Sequence, residues 1–349
     1  MPNTSVIDCD IHPPTPTMAM LLPYMDTYWR DMVSSRGTDG LGLNSYPPGA
    51  PISARTDRRD ALTLDRLRTQ ALEPWGTRLA ILNPLYGAQA LANADLASVL
   101  ARAVNDWIAT EWLNADSRLR ASIVVSTQDI ALAVEEIERR AADTRFVQVL
   151  LLVSDDMPLG RRRYWPIFET AQRLGLAVGI HAGSNYHNPT TSSGWPSFIV
   201  EEYVSQSAAF QSALLSLVAE GVFSKFPELR VVLIEAGFTW LPSFLWRANK
   251  TWRGLRTEVP WVDRPPAEII RQHIRFTLQP ADAPPDPQHL ARVVEQMGSD
   301  KLILFSTDYP HWQFDGDAAL PDGIGSALAR QITTVNPLDT YPRLKETVQ

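Results

Sequence analysis

The side chains that suit metal chemistry begin in the first apolar run, where residues 6–12 read VIDCDIH. Side chains in a strand alternate between faces with period two. Asp8, Asp10 and His12 are therefore expected on one face, with Ile7, Cys9 and Ile11 on the other. Two carboxylates and an imidazole buried without partners carry a large desolvation cost. A metal ion removes that cost, and a mixed carboxylate and imidazole set suits Zn²⁺, Mn²⁺ or Fe²⁺. The competing reading makes Asp8 a turn cap, Asp10 half of a salt bridge and His12 an ordinary hydrogen-bonded residue. Cys9, on the opposite face from the acids, is expected to pack and not to ligate.

The same alternation singles out residues in later runs. In LAVGIHAG, His181 shares a face with Ala177 and Gly179, small residues that leave room for a ligand. Glu235 is the lone charge ending the apolar run VVLIEAG, and Asp308 ends LILFSTD with His311 three positions on. Each of these polar groups stands at the C-terminal end of its run, which is where parallel barrels place their active sites. Asp10, His12, His181, Glu235 and Asp308, with Asp8, are the candidate metal ligands. Asp308, Glu235 and His311 are the candidate proton carriers. Glu235 has an alternative as the ion-pair partner of Arg247 or Arg275.

Eight short apolar runs, at 6–12, 78–83, 120–125, 147–153, 176–182, 231–236, 274–279 and 302–308, would position these groups. Helical patterns separate most of them, as at 97–113, where Leu100, Val104, Trp107 and Ile108 recur at helical spacing, and at 130–142, 165–174, 205–220 and 287–297. Alternating strands and helices predict an α/β fold with a parallel sheet, either a (β/α)₈ barrel or a doubly wound sheet. The Pro- and Gly-rich stretch 13–60 reads as an insertion at the barrel mouth, and 183–197 as a lid or binding loop carrying His187 and Trp195. Arg161, Arg162 and Arg163 follow the fourth run and form either a clamp for a substrate carboxylate or a solvated loop. His273 and His289 read as surface helix residues, and Tyr309 as a neighbour that orients Asp308.

The 349 residues are 45% hydrophobic and 20% charged, enough to bury a large core. A single barrel domain over 1–349 is expected, its excess length lying in the insertion, the lid and the C-terminal tail. A net charge of −7 disfavours nucleic acid and anionic membrane as partners and favours a small-molecule substrate. The single cysteine excludes an internal disulfide framework. With no signal-like N-terminus and no long apolar span, it makes the cytoplasm the expected location. Trp240, Trp246, Trp252 and Trp261 lie close together in sequence and are expected in core and subunit-interface packing.

The motifs DCDIHP, GIHAG, SKFPELRVVLIEAGFTWLP and FSTDYPH together resemble the amidohydrolase-2 branch of the amidohydrolase superfamily, which includes the aminocarboxymuconate semialdehyde decarboxylase. The resemblance implies a distorted (β/α)₈ TIM barrel with a divalent metal held by Asp10, His12, His181 and Asp308. It implies hydrolysis or non-oxidative decarboxylation of a small carboxylated or cyclic substrate. Three departures qualify it. The family's HxH is Asp10-Ile11-His12 here, which shifts preference toward Mn²⁺ or Fe²⁺ over Zn²⁺. The fourth run, FVQVLLLV, ends in neither Lys nor Glu, against a carbamylated-lysine bridge. Glu235 stands where the decarboxylase members place a histidine acid/base.

A narrower resemblance, in DIHP, YWPIFE, FQSALLSLV, FTLQPAD and TDYPHWQFD, is to the subunits of the 2-aminoisobutyrate hydroxylase. It implies two alternatives: a subunit of an Fe- or Mn-dependent oxygenase, or a non-catalytic partner barrel. Tyr203 stands where that group carries a histidine, which weakens a second metal site. A homo-oligomer, or a hetero-oligomer with a related chain, is the implied assembly.

Overall fold

A computed structural model describes residues 6–36, 63–88, 91–184, 188–312 and 314–348. Eight parallel strands follow one another in sequence order: β1 (Val6–Ile11), β2 (Thr77–Leu82), β3 (Leu119–Val124), β4 (Phe146–Ser154), β5 (Ala177–Ser184), β6 (Val231–Ile234), β7 (Ile274–Thr277) and β8 (Ile303–Leu304). The chain beyond β8 returns to β1. The Cys9 N–H donates to Phe305 O (2.9 Å), Asp308 N–H to Asp10 O (3.1 Å) and His12 N–H to Tyr309 O (2.8 Å). Sequential order and this return make a (β/α)₈ barrel and exclude the doubly wound sheet.

Strands such as FVQVLLLVS of β4 are apolar and buried nearly throughout because both faces are covered. One apolar layer lies between strands and helices, with Ile123, Val178 and Leu233 against Val104, Phe168 and Leu217. A smaller one fills the barrel interior with Ile7, Cys9, Leu79, Ile81, Val232 and Ile234, and Tyr341 and Leu344 from the C-terminal segment pack against it.

β1 departs from strict alternation. Its register with β2 passes from Asp8 opposite Ala80 to Ile11 opposite Leu82, so β1 carries an extra residue and a bulge. The bulge separates Asp8 from Asp10 and His12. Asp8 instead accepts hydrogen bonds from the N–H (3.1 Å) and hydroxyl (2.7 Å) of Thr307, and so fastens β1 to the segment after β8. Cys9 packs as expected, but inside the barrel.

Other segments bear on further expectations. Residues 13–36 of the expected mouth insertion include helices Met18–Leu21 and Thr27–Arg36, and bury Leu21, Met25 and Val33. Residues 37–60 of it lie outside the described residues, as does His187. The helix expected from 205 begins at Ile199, because the Glu201 carboxylate accepts from the N–H groups of Ser197 and Phe198 (both 2.9 Å). His273 is fully buried, stacked on Phe223 (4.7 Å between ring centres) with Nδ1 3.0 Å from Leu229 O, and burial lowers its pKa to about 4. His289 is exposed, as expected.

The three arginines form no clamp. Arg161 pairs with Glu220 (3.2 Å), Arg162 lies over the Trp165 ring, and Arg163 donates to the carbonyls of Thr127 and Gln128. Of the clustered tryptophans, Trp240 and Trp252 pack against the core while Trp246 and Trp261 are exposed. Among the described residues, no helix is long and apolar enough to cross a membrane.

Candidate metal centre

The bulge that removes Asp8 turns Asp10 and His12 into the C-terminal mouth of the barrel. His181 joins them from β5, and Glu235 and Asp308 stand just past the ends of β6 and β8. Both of these acids adopt left-handed backbone, φ 55° for Glu235 and 57° for Asp308, a conformation uncommon outside glycine. Such strain costs ~1–3 kcal/mol per residue and persists where surrounding bonds enforce it. Here the Glu235 N–H is held by Thr277 Oγ1 (3.0 Å) and the Asp308 N–H by Asp10 O (3.1 Å).

The donor atoms converge. His12 Nε2 lies 3.2 Å from Asp10 Oδ1, 3.2 Å from Asp308 Oδ1 and 3.3 Å from Glu235 Oε1. His181 Nε2 is 3.2 Å from Glu235 Oε1. His311 Nδ1 is 2.7 Å from Asp308 Oδ1 and 3.0 Å from Glu235 Oε1. Two overlapping groups result, Asp10, His12, His181 and Glu235, and His12, Glu235, Asp308 and His311. Within each, the donor atoms lie within 4.8 Å of one another.

The imidazoles are set to offer lone pairs. His12 Nδ1 lies 2.9 Å from Asn83 O, and His181 Nδ1 2.7 Å from Ala182 O. A carbonyl only accepts, so each Nδ1 carries the hydrogen, and in the neutral ring Nε2 faces the cluster with its lone pair. The Nε2 atoms of both rings and Asp10 Oδ2 are buried without a properly oriented hydrogen-bond partner. Short contacts without hydrogen-bond geometry, in a pocket of carboxylate and imidazole donors, fit a divalent ion.

The electrostatics agree. Burial works to raise the Glu235 pKa, but the charges of His181 and His311, and His12 Nε2 3.3 Å away, hold it well below the usual carboxylate range. Burial, then the negative charge of Glu235, pushes Asp308 up to about 6. Burial disfavours charge on His12, yet Asp10, Asp308 and Glu235 together raise it well above its ordinary value. The carboxylates thus demand positive charge at this point, and a divalent cation meets that demand with His12 neutral.

Of the residues singled out in sequence, Asp10, His12, His181, Glu235, Asp308 and His311 come together. Asp8 does not, and Tyr309 donates its hydroxyl to Gln70 (2.8 Å), so its side chain does not orient Asp308. Glu235 faces histidines, while Arg275 reaches Asp339 instead. Sequence reasoning passed over Asn83, whose only local signal is an Asn-Pro pair that reads as a turn. Glu235 also borders a pocket of about 560 Å³ whose walls include Tyr203, Trp240, Trp312 and Asp282. The Tyr203 and Trp312 rings meet edge to face, 5.9 Å between centres.

A protein-family model described as amidohydrolase matches residues 7–343. The gamma-resorcylate decarboxylase of Polaromonas sp. (strain JS666 / ATCC BAA-500) is 27% identical over 274 residues, covering 74% of this chain and 80% of that relative. Among solved structures, 5-carboxyvanillate decarboxylase from Sphingomonas paucimobilis superposes with a TM-score of 0.70 at 21% identity, covering 97% of this chain and 99% of that one. The dihydroxybenzoic acid decarboxylase of Polaromonas sp. JS666, with bound manganese and the inhibitor 2-nitroresorcinol, gives 0.67 at 21% identity and covers 97% of each chain. The structural likenesses agree with the barrel seen here, and the match of the family model across nearly the whole sequence decides the classification. The chain belongs to the amidohydrolase family.

Proposed function

We propose that the protein is a manganese-dependent carboxy-lyase that removes a carboxyl group, without oxidation, from a small hydroxylated aromatic acid. The observation that carries this reading is the convergence of His12 Nε2 and His181 Nε2, both buried and lacking hydrogen-bond partners, on the carboxylates of Asp10 and Glu235, with Glu235 bordering an aromatic-walled pocket. The decarboxylases among its relatives, one with bound manganese, support the choice of reaction and ion.

Asp10, His12, His181 and Asp308 would hold the ion, with Glu235 close enough to adjust its charge. A bound divalent cation would supply Lewis-acid orientation of the substrate's carboxylate and neighbouring oxygen. The protein's own groups do the rest. Tyr203, Trp240 and Trp312 wall the ring and exclude water. The contact of 2.7 Å between Asp308 and His311 requires one hydrogen between them, and this pair holds the proton that the reaction consumes. As the ring–carboxyl bond breaks, its electron pair stays on the ring carbon, which takes that proton while carbon dioxide leaves. Glu235 thus need not do the work of the histidine that the decarboxylase members place on β6, because His311, from after β8, brings an imidazole within 3.0 Å of it.

The reading takes residues 1–349 as one barrel unit in the cytoplasm, where a single buried cysteine suits a reducing compartment. It also takes the protein as an oligomer, supported by exposed Phe198, Val200, Val204 and Trp246. The test is to supply Mn²⁺-loaded protein with 2,6-dihydroxybenzoate and 5-carboxyvanillate and to measure carbon dioxide and the decarboxylated phenol, with and without oxygen. Equal turnover in both atmospheres is expected. Oxygen consumption with retention of the ring carboxylate would replace this reading with the oxygenase.

A further inference from the structure

We propose that Asn83 is the positioning residue of the metal centre, holding two proposed ligands at once and itself held in one orientation by a buried relay. The inference rests on the metal-centre reading above. Asn83 follows β2 and is fully buried. Its backbone carbonyl accepts from His12 Nδ1 (2.9 Å), and its side-chain Nδ2 donates to Asp10 Oδ1 (2.8 Å). One residue therefore sets the tautomer of the imidazole and the rotation of the carboxylate.

The orientation of the Asn83 amide is not free. Its Oδ1 accepts from the Ser122 hydroxyl and from Gln148 Nε2 (2.9 Å), and Gln148 Nε2 also donates to Ser122 Oγ (2.7 Å). Gln148 is oriented in turn, because its Oε1 accepts from the Tyr341 hydroxyl (3.3 Å). A flipped Asn83 would set its NH₂ against the NH₂ of Gln148 and its oxygen against the Asp10 carboxylate, losing bonds at both ends in a dry interior. The Tyr341–Gln148–Ser122–Asn83 chain thus fixes which atom meets Asp10. Ser122 and Gln148 are both fully buried and stand on neighbouring strands, β3 and β4, so the relay runs across the barrel interior.

Asn83→Asp tests the side-chain half of this role, since it keeps the shape and the backbone carbonyl but, as a carboxylate, cannot donate to Asp10. Mn²⁺ affinity, read from the electron paramagnetic resonance of free ion, is expected to weaken about 10–100-fold, and the visible spectrum of Co²⁺-loaded protein to change. A merely structural role would lower the melting temperature of the metal-free protein while leaving affinity and spectrum at wild-type values, and that result overturns the proposal. Gln148→Leu, which unlocks the amide without touching a ligand, is the second variant should Asn83→Asp not fold. It is expected to weaken Mn²⁺ binding in the same direction, and wild-type affinity there also overturns the proposal. If the wild-type protein binds neither ion, the metal reading falls and takes this inference with it. If the wild type binds and Asn83→Asp matches it, only this inference falls.

Discussion

His311 Nδ1 lies 2.7 Å from Oδ1 of Asp308, three residues earlier in the chain, and the two are buried side by side at the mouth of the barrel. The turn that begins at Asp308, with its left-handed backbone, brings the pair together, so a proposed proton carrier and a proposed ligand come from one short segment.

The first prediction concerns that pair. His311→Asn keeps a hydrogen-bond donor near Asp308 but cannot relay a proton. The turnover number is expected to fall by about 10²-fold or more, while Mn²⁺ content stays at the wild-type level. Unchanged turnover in steady-state assays would remove His311 from the proton path.

The pocket wall gives a second. Trp312→Ala removes one of two rings that meet edge to face, and stacking of this kind contributes ~0.5–1.5 kcal/mol beyond area burial. KM for an aromatic acid is expected to rise severalfold or more, with the turnover number and metal content little changed. Equal KM values for the variant and wild type would show that the ring of the substrate does not sit there.

Asp8 separates fastening from ligation. Asp8→Ala removes both of its bonds with Thr307, and each buried polar group left unpaired costs ~1–3 kcal/mol. Chemical denaturation of the metal-free protein should register that loss, and metal stoichiometry should stay at the wild-type value. Loss of the ion without loss of stability would put Asp8 back among the ligands.

His273 sets a pH dependence away from the metal centre. Its folded pKa, depressed to about 4 by burial, lies below the ordinary value of 6.5. The unfolded chain therefore binds a proton as pH falls below 6.5 while the folded protein does not, so stability drops from 6.5 down to about 4 and then levels off. The contribution is about 3 kcal/mol. In chelator-treated protein, His273→Phe is expected to flatten this part of the stability profile relative to wild type. Parallel profiles would contradict it.

Much of the barrel was legible because its strands are covered on both faces and so read as uninterrupted apolar runs. The acids and imidazoles stood out for the same reason, as polar residues ending those runs at His181, Glu235 and Asp308. What escaped notice was nonlocal. The bulge in β1 depends on how Asp8 and Ile11 pair with Ala80 and Leu82, and nothing in VIDCDIH itself marks the extra residue. Strict alternation consequently placed Asp8 with the ligands and Cys9 among the helices. Asn83 was invisible because its partners Asp10, Ser122 and Gln148 lie on three other strands. His273 looked exposed because a histidine closing a short helix gives no sign of the Phe223 ring and the Leu229 carbonyl that enclose it.

The central claim is that these side chains hold one functional divalent ion at the barrel mouth. Crystals grown with Mn²⁺ and measured at the manganese absorption edge test it most directly. The account predicts an anomalous peak within bonding distance of His12 Nε2 and His181 Nε2, absent from His181→Ala crystals. A wild-type map with no peak there, or with the same peak in His181→Ala, would contradict it.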